Sequence, residues 1–353
     1  MRAFVLVPAF VFAICLATSF CSIGSAQLPT GWKAHDLKRP QPTVVTPAKE
    51  VGGAPSDAVV LFDGKDMSQW RSGNGKPSKW KIVDGAMESV PKSGYVFSKE
   101  EFGDCQIHIE FASPAKVKGS GQGRGNSGVF LMGDFEVQVL DSFDNPKTYA
   151  DGTAGSIYGQ HPPLVNASRG PGQWQTYDII FRRPRFDEAG KVQEKAQITV
   201  LHNGVLIQDA VRAAGPTSWI KHKDYDAVKN KTQGPLSLQD HGNPVRYRNI
   251  WVRHLKEEKQ LPESAYDPVT VELDTELAEK LAGKYGKHRV EFKEDKLYFH
   301  VHRTKLEMVP HSATEYGFKE TAGVMTFKLD GEGNTDSITV QLDATRKSEH
   351  KRE

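Results

Sequence analysis

The feature that most constrains this chain is a recurrence of short β-type segments. Between Ala58 and Leu255, runs of alternating or β-branched residues occur at 59–62, 80–83, 86–89, 106–111, 127–131, 135–140, 176–181, 196–201, 205–209, 236–239 and 246–253. Each is bounded by turn residues, and none has the 3.6-residue period of a long helix. Asp84-Gly85 and Asn203-Gly204 sit between two such runs, the pattern of tight hairpins. Eleven strands without a long helix predict an all-β fold, an antiparallel two-sheet sandwich or jelly roll.

The flanks read differently. Arg2, the apolar run from Ala3 to Ala17 and the small residues Gly24-Ser25-Ala26 make residues 1–26 a cleaved secretory leader, too short to span a membrane, so the mature protein is expected outside the cytoplasm. Residues 27–57 are rich in proline and small residues and read as a tether. Pro262 and Pro268 mark a second linker over 256–272. A helical pattern follows at Thr275–Leu281, with Thr275 as its cap, and then strands over 290–292, 297–302, 315–318, 324–329 and 337–342. These predict a small β-rich domain over 273–345, closed by a charged, frayed tail over 346–353. With Cys15 and Cys21 in the leader, Cys105 is the sole cysteine left, a packed thiol without a disulfide partner. A net charge of +2 argues against a nucleic-acid partner.

Chemistry concentrates around Phe135–Leu140. Alternation sends Phe135, Val137 and Val139 to the core and puts Glu136 and Gln138 on one opposite wall. Asp141 falls on the wrong side unless a bulge turns it back, in which case two carboxylates flank one amide. The glycine-dense run Lys118–Gly128 lacks the ending of a phosphate loop and precedes a strand, so it reads as a mobile rim loop. About thirty residues from Asp141 to Arg169 show no regular period and carry Tyr149, Tyr158, Gln160 and His161, donors and faces suited to a sugar under a lid. Asp240-His241 ends one strand just before Arg246 and Arg248, which share a strand face and are suited to an oxyanion. Asp beside His also fits plain turn chemistry.

Several stretches together resemble one family. Leu61–Lys65, Asn126–Phe130, Phe135–Asp141, Gly155–Gly159, Pro163–Asn166, Trp174–Asp178, His202–Val205 and Gln239–Val245 are similar to the 3-keto-disaccharide hydrolases, also described as 3-keto-glucoside lyases and 3-keto-2-hydroxyglucal hydratases. The resemblance covers roughly residues 58–255 and implies a concanavalin-like jelly roll. It also implies a chemistry. A ketone at C3 acidifies the C2 hydrogen, so a base can remove it, the C1 oxygen can leave, and the resulting enone can take up water. On that basis Glu136 is the base, His241 or Asp141 the acid, and Arg246 and Arg248 the enolate or hydroxyl partners. Asn126, Gln138, Tyr158, Gln160, His161 and Asp240 would hold the oligosaccharide or glycoside. No cofactor is certain, and a divalent metal on Glu136, Asp141 and His241 is an alternative stabiliser. A non-catalytic carbohydrate-binding module and a laminarinase-like glycosidase are competing readings. The second requires two carboxyl groups about 5 to 5.5 Å apart.

Overall fold

The computed structural model describes residues 35, 41–256, 270–342 and 346–353. The chain divides into two compact units, one over Thr43–Glu257 and one that includes Glu258–Glu353. The expected leader, and most of the linker expected over 256–272, lie outside the described residues.

The first unit is built from β1 (Val59–Phe62), β2 (Trp70–Ser72), β3 (Lys81–Val83), β4 (Ala86–Glu88), β5 (Val96–Phe102), β6 (Cys105–Ala112), β7 (Ser127–Leu131), β8 (Phe135–Val139), β9 (Gln175–Arg182), β10 (Arg185–Phe186), β11 (Val192–Glu194), β12 (Gln197–His202), β13 (Val205–Arg212), β14 (Gly234–Leu238) and β15 (Arg246–His254). One sheet runs β13-β12-β9-β6-β15-β4-β3, with β1 also on β15, and the other runs β2-β5-β14-β7-β8. Most neighbours are distant in sequence, the connectivity of a concanavalin-like jelly roll. Alternation closes the core: Ile107, Ile109 and Phe111 of β6, Tyr177, Ile179 and Phe181 of β9, and Val129, Leu131, Phe135, Val137 and Val139 of β7 and β8 belong to one buried cluster. Each large apolar side chain buried this way contributes about 1.5–3 kcal/mol before entropy is charged against it.

Both hairpin signals form. Asp84 and Gly85 have φ of 49° and 71°, and Asn203 and Gly204 have 53° and 79°. These pairs of left-handed residues match the twist of the flanking strands. Cys105 is buried, and desolvation pushes its thiol up to about 12, which suits a packed and unreactive side chain.

Two flanks differ from expectation. Residues 43–57 pack within the first unit instead of hanging as a tether: the Gly52 carbonyl accepts from Asn249 Nδ2 and Trp251 Nε1, both at 2.9 Å, and Arg253 pairs with Asp57 at 2.7 Å. In the second unit the helix Thr275–Leu281 is capped by Asp274, whose carboxylate accepts from Leu277 N at 3.0 Å, so the cap lies one residue before Thr275. Eight strands follow in chain order as one meander, Gly283–Tyr285 through Lys347–Lys351. The charged tail is its last strand, because Thr335–Gln341 offers backbone bonds along an otherwise open edge.

Candidate active site

β8 is an edge strand, and all five of its side chains are buried. Phe135, Val137 and Val139 enter the core. Glu136 and Gln138 face the other way, into a cavity of about 350 Å³ shared with Tyr95, Asn126, Phe130, Tyr158, Gln239 and His241, and bordered by Thr217–Trp219. Gly128 makes room for the acid. It lies opposite Gln138 in the β7–β8 register, and a side-chain carbon there would collide with Glu136 Oε1.

Glu136 is 4% exposed, and loss of hydration raises its pKa to about 8. Among the described residues no cation offsets that shift. Its neighbours are amides: the Gln138 amide lies 3.2 Å from Glu136 Oε1, and its nitrogen donates to Gln122 Oε1 at 2.9 Å. Asn126 Nδ2 donates to the Gln122 carbonyl at 2.7 Å, which fixes that amide at the cavity wall.

The long loop after β8 is not structureless. Gln138 N donates to Ser156 O at 3.0 Å, Gly155 N to Gln138 O at 2.8 Å and Tyr158 N to Glu136 O at 3.2 Å. The loop therefore covers the free edge of β8 and sets Tyr158 beside Glu136. The Tyr158 and Tyr149 hydroxyls are 2.6 Å apart. Burial first, then this contact and the nearby Glu136, hold the Tyr158 phenol well above its ordinary pKa. The glycine-dense run is likewise fastened and not a mobile rim: Gly121 N donates to Asn145 Oδ1 at 2.9 Å, and Gln122 Nε2 to the Gly152 carbonyl at 2.8 Å.

Six residues expected at the site serve elsewhere. Asp141 lies in a neighbouring cavity of about 520 Å³, where Arg124 Nε donates to its Oδ2 at 2.7 Å; no bulge turns it toward Gln138. Arg246 and Arg248 belong to the other sheet, with both guanidinium groups over the Trp174 ring and Arg248 paired to Glu110 at 2.6 Å. Asp240 closes a turn, accepting from the backbone of Ser93, Gly94 and Gly242. Gln160 fastens the lid to the Ala214 and Gly215 backbone, and His161 Nε2 meets the Arg212 carbonyl at 3.1 Å. With Asp141 removed, Glu136, Asp141 and His241 do not form a donor set for a divalent ion. Among the described residues, no group of three or more His, Cys, Asp or Glu is arranged to hold one.

Sequence reasoning missed Tyr95, Phe130, Thr217, Trp219 and Gln239. Phe130 had a signal, since alternation from Val129 and Leu131 puts a large ring on the outer face. Trp219-Ile220 had another, an apolar pair in a segment without strand periodicity.

Comparison with known proteins agrees with the jelly-roll fold. Residues 57–253 match the model of the 3-keto-alpha-glucoside-1,2-lyase-like domain. A 3-keto-disaccharide hydrolase of Bacteroides thetaiotaomicron is 24% identical over 289 residues, which cover 70% of this chain and 98% of that protein. A crystal structure from Parabacteroides distasonis, of a protein provisionally assigned as a glycosyl hydrolase, is 46% identical. It superposes with a TM-score of 0.59 over 62% of this chain and 94% of the other. With the matched segment spanning nearly all of the jelly roll and its Glu136 cavity, the chain belongs to the family of 3-keto-alpha-glucoside-1,2-lyase-like, carbohydrate-active enzymes.

Proposed function

We propose that the Glu136 cavity cleaves 3-keto-glycosides by elimination. The observation that carries this reading is one buried carboxyl, raised to about 8, facing amide and phenol groups. A carboxylate of raised pKa is a stronger base, and the C2 hydrogen beside a ketone needs one. Glu136 takes that proton, and the C2 electron pair moves into the enolate, whose oxygen the neutral Tyr158 hydroxyl stabilises with Tyr149 behind it. The enolate then collapses to the enone and expels the C1 oxygen, which is protonated at the His241 side of the cavity. Water added across the double bond completes a net hydrolysis. Asn126, Gln138 and Gln239 hold the sugar hydroxyls. In the same reading the N-terminal leader exports the enzyme.

A conventional retaining glycosidase needs a second carboxyl across the bond. Among the described residues Glu136 is the one carboxyl lining this cavity. A 3-keto-glucoside is therefore expected to be consumed while its unoxidised parent is left intact. Comparable cleavage of the parent, followed by NMR, overturns the proposal. Gly128→Ala provides a local check. The added methyl displaces the Glu136 carboxyl, and kcat/KM on the keto substrate is expected to fall about 100-fold, as for a misplaced catalytic group. An unchanged kcat/KM would separate Glu136 from the chemistry.

A further inference from the structure

We infer that Trp219 forms a leaving-group subsite, selecting 3-keto-glycosides whose C1 substituent has an extended apolar face, above all an aryl group. The inference rests on the function proposed above.

Three observations carry it. Trp219 borders the Glu136 cavity and is 78% exposed, and Ile220, 84% exposed, follows it in the chain. An exposed aromatic ring beside a ligand cavity suits an apolar face of the ligand. The segment that carries Trp219 is tied to the Glu136 strand. Thr217 Oγ1 accepts from Glu136 N at 2.9 Å, Thr217 N donates to Asp134 O at 2.7 Å, and Lys223 N returns to Pro216 O at 2.8 Å. Trp219 is thus two residues from a direct tie to the strand that carries the acid.

The cavity is also graded. Its buried wall is Glu136, Gln138 and Asn126, all hydrogen-bonding groups; its less buried lining holds Phe130 and Trp219 together with Tyr158, Gln239 and His241. A pyranose with its hydroxyls on that wall directs the C1 substituent toward the more exposed lining, where the Trp219 ring offers an apolar face beside Ser218 and His241. The third observation concerns the leaving oxygen. An aryloxide, with a conjugate acid near the pKa of about 10 of a phenol, departs with far less protonation than a sugar alkoxide. A cavity with Glu136 as its one carboxyl suits that departure. The step balances: Glu136 takes the C2 proton, the C1–O bond breaks with its electron pair on oxygen, and that oxygen ends as the free phenol when it is protonated, leaving the enone.

The test compares KM for methyl, phenyl and naphthyl 3-keto-glucosides and for a 3-keto-disaccharide in the wild type, Trp219→Ala and Trp219→Phe. Wild type is expected to prefer naphthyl over methyl in KM. That preference falls roughly tenfold in Trp219→Ala, the range of an aromatic contact, and is largely restored in Trp219→Phe. A preference unchanged in Trp219→Ala overturns the inference, as does a wild type that favours the disaccharide. If no keto substrate turns over, the proposed function fails instead. Tryptophan-fluorescence titration with the unoxidised naphthyl and methyl glucosides then still tests the subsite: equal affinities in wild type and Trp219→Ala reject it, and a naphthyl preference lost in the variant supports it.

Discussion

Replacing Glu136 by glutamine is expected to lower kcat on a 3-keto-glucoside by about 10²–10⁴-fold, the usual contribution of a positioned base. Shape and burial are nearly conserved, so KM should move far less than kcat. The wild-type pH profile supplies the sign. With its pKa near 8, Glu136 is mostly protonated at neutral pH, and a base works only when ionised. Accordingly kcat/KM rises about tenfold per pH unit below that value and levels above it. A profile that falls through pH 8 would make Glu136 the proton donor. A Glu136→Gln variant with wild-type kcat would remove it from the reaction. The same variant separates the binding-module reading, in which the substitution costs nothing but there is no turnover to lose.

The second large effect is on stability, and it runs opposite to the effect on activity. An unfolded glutamate titrates near 4.5, and the folded Glu136 near 8. The neutral buried acid therefore contributes stability that is fully present below the unfolded pKa and is lost progressively as pH rises through about 8. Each unit of separation corresponds to ~1.4 kcal/mol, so the whole window carries at most a few kcal/mol. Glutamine stays uncharged throughout. The variant should match wild type near pH 5 and exceed its melting temperature by on the order of 5–10 °C at pH 8.5. Thermal melts at the two pH values check this. A variant less stable than wild type at both would mean that the carboxyl is held by interactions that an amide cannot replace. Such a gain on losing a catalytic group is the familiar trade of stability for function.

The strand alternation made the sandwich legible. Val137 and Val139 against Glu136 and Gln138 tell which face meets the core, and Asp84-Gly85 and Asn203-Gly204 tell where the chain turns. β5 escaped because Lys99, Glu100 and Glu101 are exposed within it and hide the apolar alternation of its ends. The tail escaped because its charge points to solvation, whereas its backbone has an open edge to pair with. In the cavity, Glu136 and Gln138 were legible from strand face, and Asn126, Tyr158 and His241 from residue type in the adjoining loops. Asp141 was not: three residues past Gln138 the strand has ended, and Arg124, seventeen residues earlier, captures the carboxylate. Arg246 and Arg248 misled for a similar reason. They share a strand face, but only the topology tells that this face belongs to the sheet without Glu136.

The most direct test of proton abstraction by Glu136 is the fate of the C2 hydrogen during turnover in deuterated water, followed by NMR. Elimination predicts that the 3-keto-glucose released by the wild type carries deuterium at C2, above the exchange of 3-keto-glucose standing alone, or that the enone itself accumulates. Full release of the leaving group with protium retained at C2 would instead show direct displacement at C1 and contradict the account.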